Sequence, residues 1–334
     1  MKDSMRSVGR WGAMAGPLLV LAYCVINSVK SVVEGALVQE LSPEYLAFNE
    51  FVIAQLFYLA VCKDKPGLVG AVRRSWPTIL VFNVTTTLSW VAVLYALVVF
   101  EPVVANSIIV GLVPTITIVM GIRLRSGAKV LRWELVAAAG ILASLVYLAM
   151  AAWSGESGIG SLSTGEFVFG LLTCLVTAVA VAGNTFCTKH LSQAGMTVGQ
   201  MMACRFVLLI AVTFGTLLVR DSFSPYSAHN VLTILALSGL GVITSLYLLQ
   251  QGIVRTEATT VSMLFGTNLL ITYAAQLFDP RLERSGATLT GILLLSASML
   301  LGVWARARAA AKPAAAPEPE SPQQPQPVGS TEAT

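Results

Sequence analysis

The chain has 334 residues, of which 55% are hydrophobic and 11% charged, and its formal net charge is +4. An ordinary soluble domain carries about 25% charged residues, so this composition excludes a soluble globular protein. Lys and Arg occur in short clusters between apolar runs rather than along one face, which argues against nucleic-acid binding.

The apolar residues form continuous runs of about 20, the length that crosses a bilayer core as a helix. Transmembrane β-strands alternate apolar and polar residues over shorter segments, so a β-barrel is excluded. The sequence therefore predicts an all-α membrane protein with ten transmembrane helices. The predicted spans are 12–33, 43–62, 76–99, 102–122, 133–152, 166–188, 197–219, 230–254, 257–278 and 286–305.

The distribution of basic residues predicts the orientation, because Lys and Arg are retained on the cytoplasmic side. Of the 21 Lys and Arg, sixteen fall on one side of the predicted spans and three on the other. The remaining two, Lys30 and Arg205, lie inside spans. We therefore expect a multi-pass protein of the cytoplasmic (inner) membrane with both termini in the cytoplasm.

An internal repeat appears when the sequence is shifted by 155 residues, which places Phe51 on Phe206 and Gly111 on Gly266. Five helices is an odd number, so the second copy enters the membrane from the opposite side and the repeat is inverted. The predicted units are a cytoplasmic N-terminus at 1–11, five-helix repeats at 12–153 and 166–305, and a disordered Pro/Ala-rich cytoplasmic tail at 306–334.

Ten helices in two repeats, short loops, and the segments Tyr95-Ala96-Leu97 and Val104-Ala105-Asn106-Ser107 before Pro114 resemble the EamA-type branch of the drug/metabolite transporter superfamily. The resemblance covers residues 12–305. It implies a central cavity lined by both halves, more peripheral fifth and tenth helices, and alternating-access transport of small organic solutes. The first-helix carboxylate of the four-helix multidrug relatives has no counterpart before Glu34, so that proton-coupling residue cannot be transferred.

Charged side chains within a membrane helix are costly unless they face a cavity or a partner. Glu50 and Arg205 occupy matching repeat positions, and two interpretations remain open. Buried ion pairs of Glu50 with Arg205 or Lys30 would hold the halves together; alternatively, Arg205 binds an anion and Glu50 binds an amine or exchanges a proton. Lys30 is expected to snorkel to the surface or to pair with Glu34 one turn later.

A proline inside a helix removes a backbone hydrogen bond, so Pro114 beside Gly111, and Gly266 in the second repeat, are predicted hinge or kink positions. Close helix packing is the alternative role of these residues. The uncharged polar or aromatic candidates for solute binding, each of which has an alternative role in bonding helices together, are Asn27, Trp90, Tyr95, Asn106, Gln250 and Asn268.

No catalytic motif accompanies these residues, and the two histidines fall in predicted loops on opposite sides. We expect no enzyme activity, no cofactor and no metal. The predicted function is transport, as an exporter, of a small organic metabolite, amino-acid-like solute or drug. An anionic sugar-phosphate or nucleotide-sugar carrier and a non-transporting membrane enzyme or scaffold are the alternatives. Expected partners are the solute, membrane lipid and protons as coupling ion, without nucleic acid, in a monomer or homodimer.

Overall fold

The computed structural model describes residues 2–124, 132–224, 227–255 and 258–310. Within these ranges the chain is all-α and contains no strand. The predicted tail at 306–334 lies outside the described residues from 311 onward. Its first five residues belong to the last helix, which corrects the predicted boundary.

Thirteen α-helices and one π-helical segment make up the described ranges. They are α1 Lys2–Leu37, α2 Pro43–Val61, α3 Lys65–Arg74, α4 Trp76–Val99, α5 Pro102–Leu124, α6 Arg132–Ser154, α7 Thr164–Gln193, α8 Val198–Ala203, α9 Val207–Arg220, α10 Ala228–Ala236, the π-helical segment Leu237–Thr244, α11 Ser245–Arg255, α12 Ala258–Gln276 and α13 Gly286–Ala310.

Length and hydropathy mark seven stretches of the described chain as candidate membrane spans, which is compatible with a multi-pass membrane protein. The helices α2 and α12 do not qualify, and α5 contributes only a shorter apolar stretch. The seven are Ala15–Leu37, Trp76–Val99, Leu135–Ser154, Thr164–Gln193, Val198–Arg220, Ala228–Gly252 and Gly286–Ala305.

Local sequence explains where several helices begin. Ser42 caps α2 by accepting a hydrogen bond from the Tyr45 amide, and a proline follows at the first helical position. Capping boxes at Ser163 and Thr197 start α7 and α8. The short helix α3, which the apolar pattern does not predict, starts where the Asp64 side chain accepts from the Gly67 amide at 2.9 Å.

The packing is organised by contacts between the two parts of the sequence. α1 packs on α11 and α12, and α7 packs on α4 and α5. α2 packs on α9, and α6 packs on α13. The largest buried apolar cluster runs through these contacts and includes Phe51, Leu94, Phe206 and Leu295.

Two predicted spans differ from a regular helix. The span predicted at 197–219 is interrupted, because α8 ends at Ala203 and α9 begins at Val207. The span predicted at 230–254 contains the π-helical segment between α10 and α11. π-helical turns are rare and frequently mark functional sites.

Candidate functional site

The interruption between α8 and α9 consists of Cys204, Arg205 and Phe206. The Cys204 amide reaches the Met201 carbonyl at 3.4 Å and the Arg205 amide reaches the Met202 carbonyl at 3.3 Å, both long for a hydrogen bond. Breaking a helix leaves carbonyls behind the break and amides ahead of it without helical partners. Within an apolar layer each of these groups needs another partner.

Two side-chain amides supply those partners. Gln55 of α2 donates through Nε2 to the Ala203 carbonyl at 2.5 Å and accepts from the Phe206 amide at 3.1 Å. Asn83 of α4 donates through Nδ2 to the Cys204 carbonyl at 2.8 Å and accepts from the Leu208 amide at 3.2 Å. Both amides are buried, so they fix the broken backbone against helices of the first half.

Arg205 is held at the break without a carboxylate. Its Nε donates to the Thr86 hydroxyl at 3.3 Å, and Nη1 lies 3.8 Å from the Met202 sulfur. Its guanidinium carbon lies 5.0 Å from the centre of the Phe82 ring, a cation–π distance. No acidic side chain of the described ranges forms an ion pair with it. The side chain is only partly buried, so guanidinium donors are available to an anionic ligand.

A second group of charges joins α1 to α2. Lys30, Glu34 and Glu50 are 3%, 4% and 0% exposed. The Lys30 ammonium donates to Glu34, lies 3.8 Å from Glu50 Oε2 and sits 4.7 Å from the centre of the Trp90 ring. Lys30 is thus buried and paired, so the expected pairing with Glu34 is confirmed and snorkelling is wrong.

Aromatic rings connect the two charged groups. The Phe51 ring centre lies 4.8 Å from that of Trp90 and 4.9 Å from that of Phe206. Trp90 is the residue under the Lys30 ammonium, and Phe206 is next to Arg205 in the chain. The pairing of Glu50 with Lys30 is therefore observed, whereas a direct pair of Glu50 with Arg205 is not among the ion pairs of the described residues.

Two predicted solute ligands bond helices together. Asn106 donates to the Ser31 hydroxyl at 2.8 Å and so ties α5 to α1. Asn268 accepts from the Ser28 hydroxyl at 2.9 Å, and Thr272 donates to the same hydroxyl, which ties α12 to α1. Both amides are buried. In this conformation their contacts are those of helix packing.

Tyr95 belongs to a separate cluster at the ends of α2, α4 and α9. Its hydroxyl donates to Glu44 Oε1 at 2.5 Å and accepts from Arg220 Nη1 at 3.3 Å. Arg220 also pairs with Glu44 at 3.1 Å. By the orientation that the basic residues predict, this cluster lies at the outer end of the molecule.

The predicted hinge residues have different surroundings. A Cβ on Gly111 would lie 2.8 Å from Leu145 Cδ2, so this glycine permits α5 to approach α6 closely. Pro114 is exposed within α5, which continues through it. Gly266 is buried, and its carbonyl accepts from Ser296 at 3.2 Å. The remaining candidates, Asn27 and Gln250, are half-buried.

Gln55 and Thr86 were not predicted, although they hold the break and Arg205. Gln55 carried a signal that could have found it: a polar amide in an otherwise apolar run, five residues after Glu50. Thr86 stands in a run of three threonines in the third predicted span. Threonine readily bonds its own helix backbone, so that run alone does not indicate an Arg partner.

No family model and no curated protein matches the chain. A solved structure described only as "Crystal structure of protein" is similar, with 17% sequence identity and a TM-score of 0.56. The match covers 90% of this chain and 99% of the other. At this identity the likeness concerns the fold.

Proposed function

We propose that the chain is a transporter of the EamA type that carries a small organic solute across the cytoplasmic membrane by alternating access. The observation that supports this most is the interrupted helix with Arg205 at its break. Irregular backbone at membrane depth is tolerated where it is buried in protein or lines a cavity. Secondary transporters commonly build their solute sites from such discontinuous helices.

The reciprocal packing of the helices supports two inverted five-helix repeats. A shift of 155 residues relates α1 to α7, α4 to α11 and α5 to α12. The contacts of α1 with α11 and α12 thereby correspond to the contacts of α7 with α4 and α5. A pseudo-two-fold axis predicts this exchange, and it also predicts that α2 meets α9 and that α6 meets α13.

Arg205 favours a solute that carries an anionic group, because a guanidinium matches carboxylate and phosphate oxygens in charge and geometry. Lys30 is engaged with Glu34 and gives little support to a doubly charged phosphate. The same lysine stands in front of Glu50, which disfavours a solute ammonium there. We therefore favour a small monocarboxylate over a sugar phosphate or a zwitterion that bridges Glu50 and Arg205.

The proposed direction is outward, driven by the solute's own gradient, with both termini in the cytoplasm. We place the chain among transporters rather than enzymes, because its charged groups are fixed at helix contacts and no nucleophile–base pair accompanies them. A non-transporting membrane enzyme or scaffold is the alternative, and it predicts no exchange of solute across a membrane.

A thermal-shift panel on the purified protein tests the solute class. Pyruvate, alanine and glycerol phosphate represent the monocarboxylate, zwitterionic and phosphate classes. We expect pyruvate to raise the melting temperature of the wild type and of the control Arg284→Ala, whose arginine is exposed, but not of Arg205→Ala. Stabilisation by alanine or glycerol phosphate instead would change the class, and equal stabilisation of Arg205→Ala would remove Arg205 from the site.

A further inference from the structure

Glu50 is a buried carboxylate without a hydrogen-bond donor. Its side chain is 0% exposed, and neither carboxylate oxygen meets a donor among the described residues. The Lys30 ammonium is 3.8 Å from Oε2, beyond hydrogen-bond distance, and donates to Glu34 instead. An ionised carboxylate placed in this way loses its hydration without full compensation, whereas a protonated carboxyl carries no such penalty.

The groups that act directly on Glu50 are Lys30 and Glu34 of α1. Lys30 attracts a proton's competitor, the negative charge, while the Glu34 carboxylate repels it. The remaining titratable groups on α2 and on the elements packed against it are Glu44, Tyr45 and Tyr58 on α2, Tyr95 on α4, Cys204, Arg205 and Arg220 around α8 and α9, and His229 on α10.

The buried charges balance in two states only. With no ligand, Lys30 and Arg205 are offset by Glu34 and Glu50. When an anion neutralises Arg205, the balance is restored by neutralising Glu50 with a proton. Occupancy of one site alone leaves a net charge inside the apolar layer, which is costly. Charge balance therefore favours binding of the anion and the proton together.

We propose that Glu50 is a proton-binding site distinct from the solute site at Arg205, and that one proton binds with each monoanionic solute. The Glu50 carboxylate takes up a proton from water, forming one O–H bond, and the solute is chemically unchanged. The direction of transport then follows the sum of the solute and proton gradients. The coupled stoichiometry rests on the proposed function, whereas the electrostatic link between the two residues can be measured without a solute.

Infrared titration of the ligand-free protein measures that link. A protonated carboxyl has a carbonyl stretch that an ionised carboxylate lacks, and the part of this band that disappears in Glu50→Gln reports Glu50. In Arg205→Ala the positive charge is permanently absent, as it is when an anion neutralises it. We expect the titration midpoint of Glu50 to rise by about one pH unit, the effect of a unit charge roughly 10 Å away at an effective dielectric constant of about 20.

Arg205→Gln is the second charge-removing variant, should Arg205→Ala fail to fold, and Arg205→Lys is the control that retains the charge. A midpoint that rises in the neutral variants and stays in Arg205→Lys supports the proposal. An unchanged midpoint in the neutral variants, or no Glu50 band between about pH 5 and 9, overturns it. Adding pyruvate to the wild type should raise the midpoint as well; absence of pyruvate binding alone would count against the proposed solute class, not against the link.

Discussion

Asn83 and Cys204 are joined by a 2.8 Å hydrogen bond from the Asn83 side-chain amide to the Cys204 carbonyl, although the residues are 121 positions apart. The same side chain accepts from the Leu208 amide beyond the break. One residue of α4 thus satisfies backbone groups on both sides of the interruption, and the position of Arg205 depends on it.

Replacing Asn83 with alanine should therefore destabilise the protein. The change leaves a buried carbonyl and a buried amide without partners, each of which costs about 1–3 kcal/mol. We expect a melting temperature several degrees below that of the wild type in detergent. Thr185→Ala is the control, because its exposed hydroxyl bonds only the Val181 carbonyl of its own helix. Equal melting temperatures for both variants would show that Asn83 does not hold the break.

The contact of α6 with α13 gives a prediction about the periphery. A Cβ on Gly291 would lie 2.4 Å from Leu148 Cδ2, too close without a shift of the helices. Gly291→Ala should lower the melting temperature by overpacking, which typically costs about 1–3 kcal/mol. Gly215→Ala, where nothing lies within 4 Å of the added atom, should be neutral or stabilising. Similar behaviour of the two variants would contradict the observed contact.

The sequence predicts most of the helices, because continuous apolar runs and N-terminal prolines leave few alternatives. The third span, predicted at 76–99, is observed as Trp76–Val99. The sequence does not predict the break at Cys204–Phe206, because the residues around it are apolar and contain neither proline nor glycine. The break depends on Gln55 and Asn83, which are far away in the chain.

The candidate site was predicted in part for the same reason. Glu50, Lys30 and Arg205 stand out because charge is costly in an apolar run. Their partners are set by packing: Lys30 pairs with Glu34, as the i, i+4 spacing predicts, and Arg205 meets Thr86. Neutral amides such as Asn106 and Asn268 give equal sequence signals for solute binding and for helix packing.

Tyr95 distinguishes these two roles experimentally. Tyr95→Phe removes the hydroxyl between Glu44 and Arg220, at a contact in which the Arg220 side chain is 60% exposed. Exposed ion pairs contribute little to stability, so the melting temperature should fall only slightly. Pyruvate affinity should be unchanged, measured by titration calorimetry against the wild type. A tenfold loss of affinity would place Tyr95 in the solute site.

Glu101 predicts a pH dependence of stability. Its carboxylate accepts from Thr288 at 2.7 Å, from the Gly158 amide at 3.1 Å and from Gln276 at 3.3 Å. Burial nevertheless raises the pKa of Glu101, outweighing these hydrogen bonds, which lower it. The folded state then binds the proton more tightly than the unfolded state. The stabilisation from protonation is fully present below the unfolded pKa and is lost as pH rises through the folded pKa.

Glu101→Gln resembles the protonated side chain and cannot titrate. The melting temperature of the wild type relative to this variant should therefore increase as pH is lowered from about 8 to about 5. Comparing the two proteins at each pH cancels the other groups, among them Asp279. A difference that stays constant, or that grows as pH rises, would contradict this assignment.

Counterflow in proteoliposomes tests the transport function most directly. Vesicles loaded with unlabelled pyruvate should accumulate labelled external pyruvate when they contain the wild type or Arg284→Ala. Vesicles with equal amounts of folded Arg205→Ala should accumulate none above the protein-free background. Labelled pyruvate uptake by Arg205→Ala at the wild-type rate, or the absence of counterflow for pyruvate, alanine and glycerol phosphate with the wild type, would contradict a solute transporter centred on Arg205.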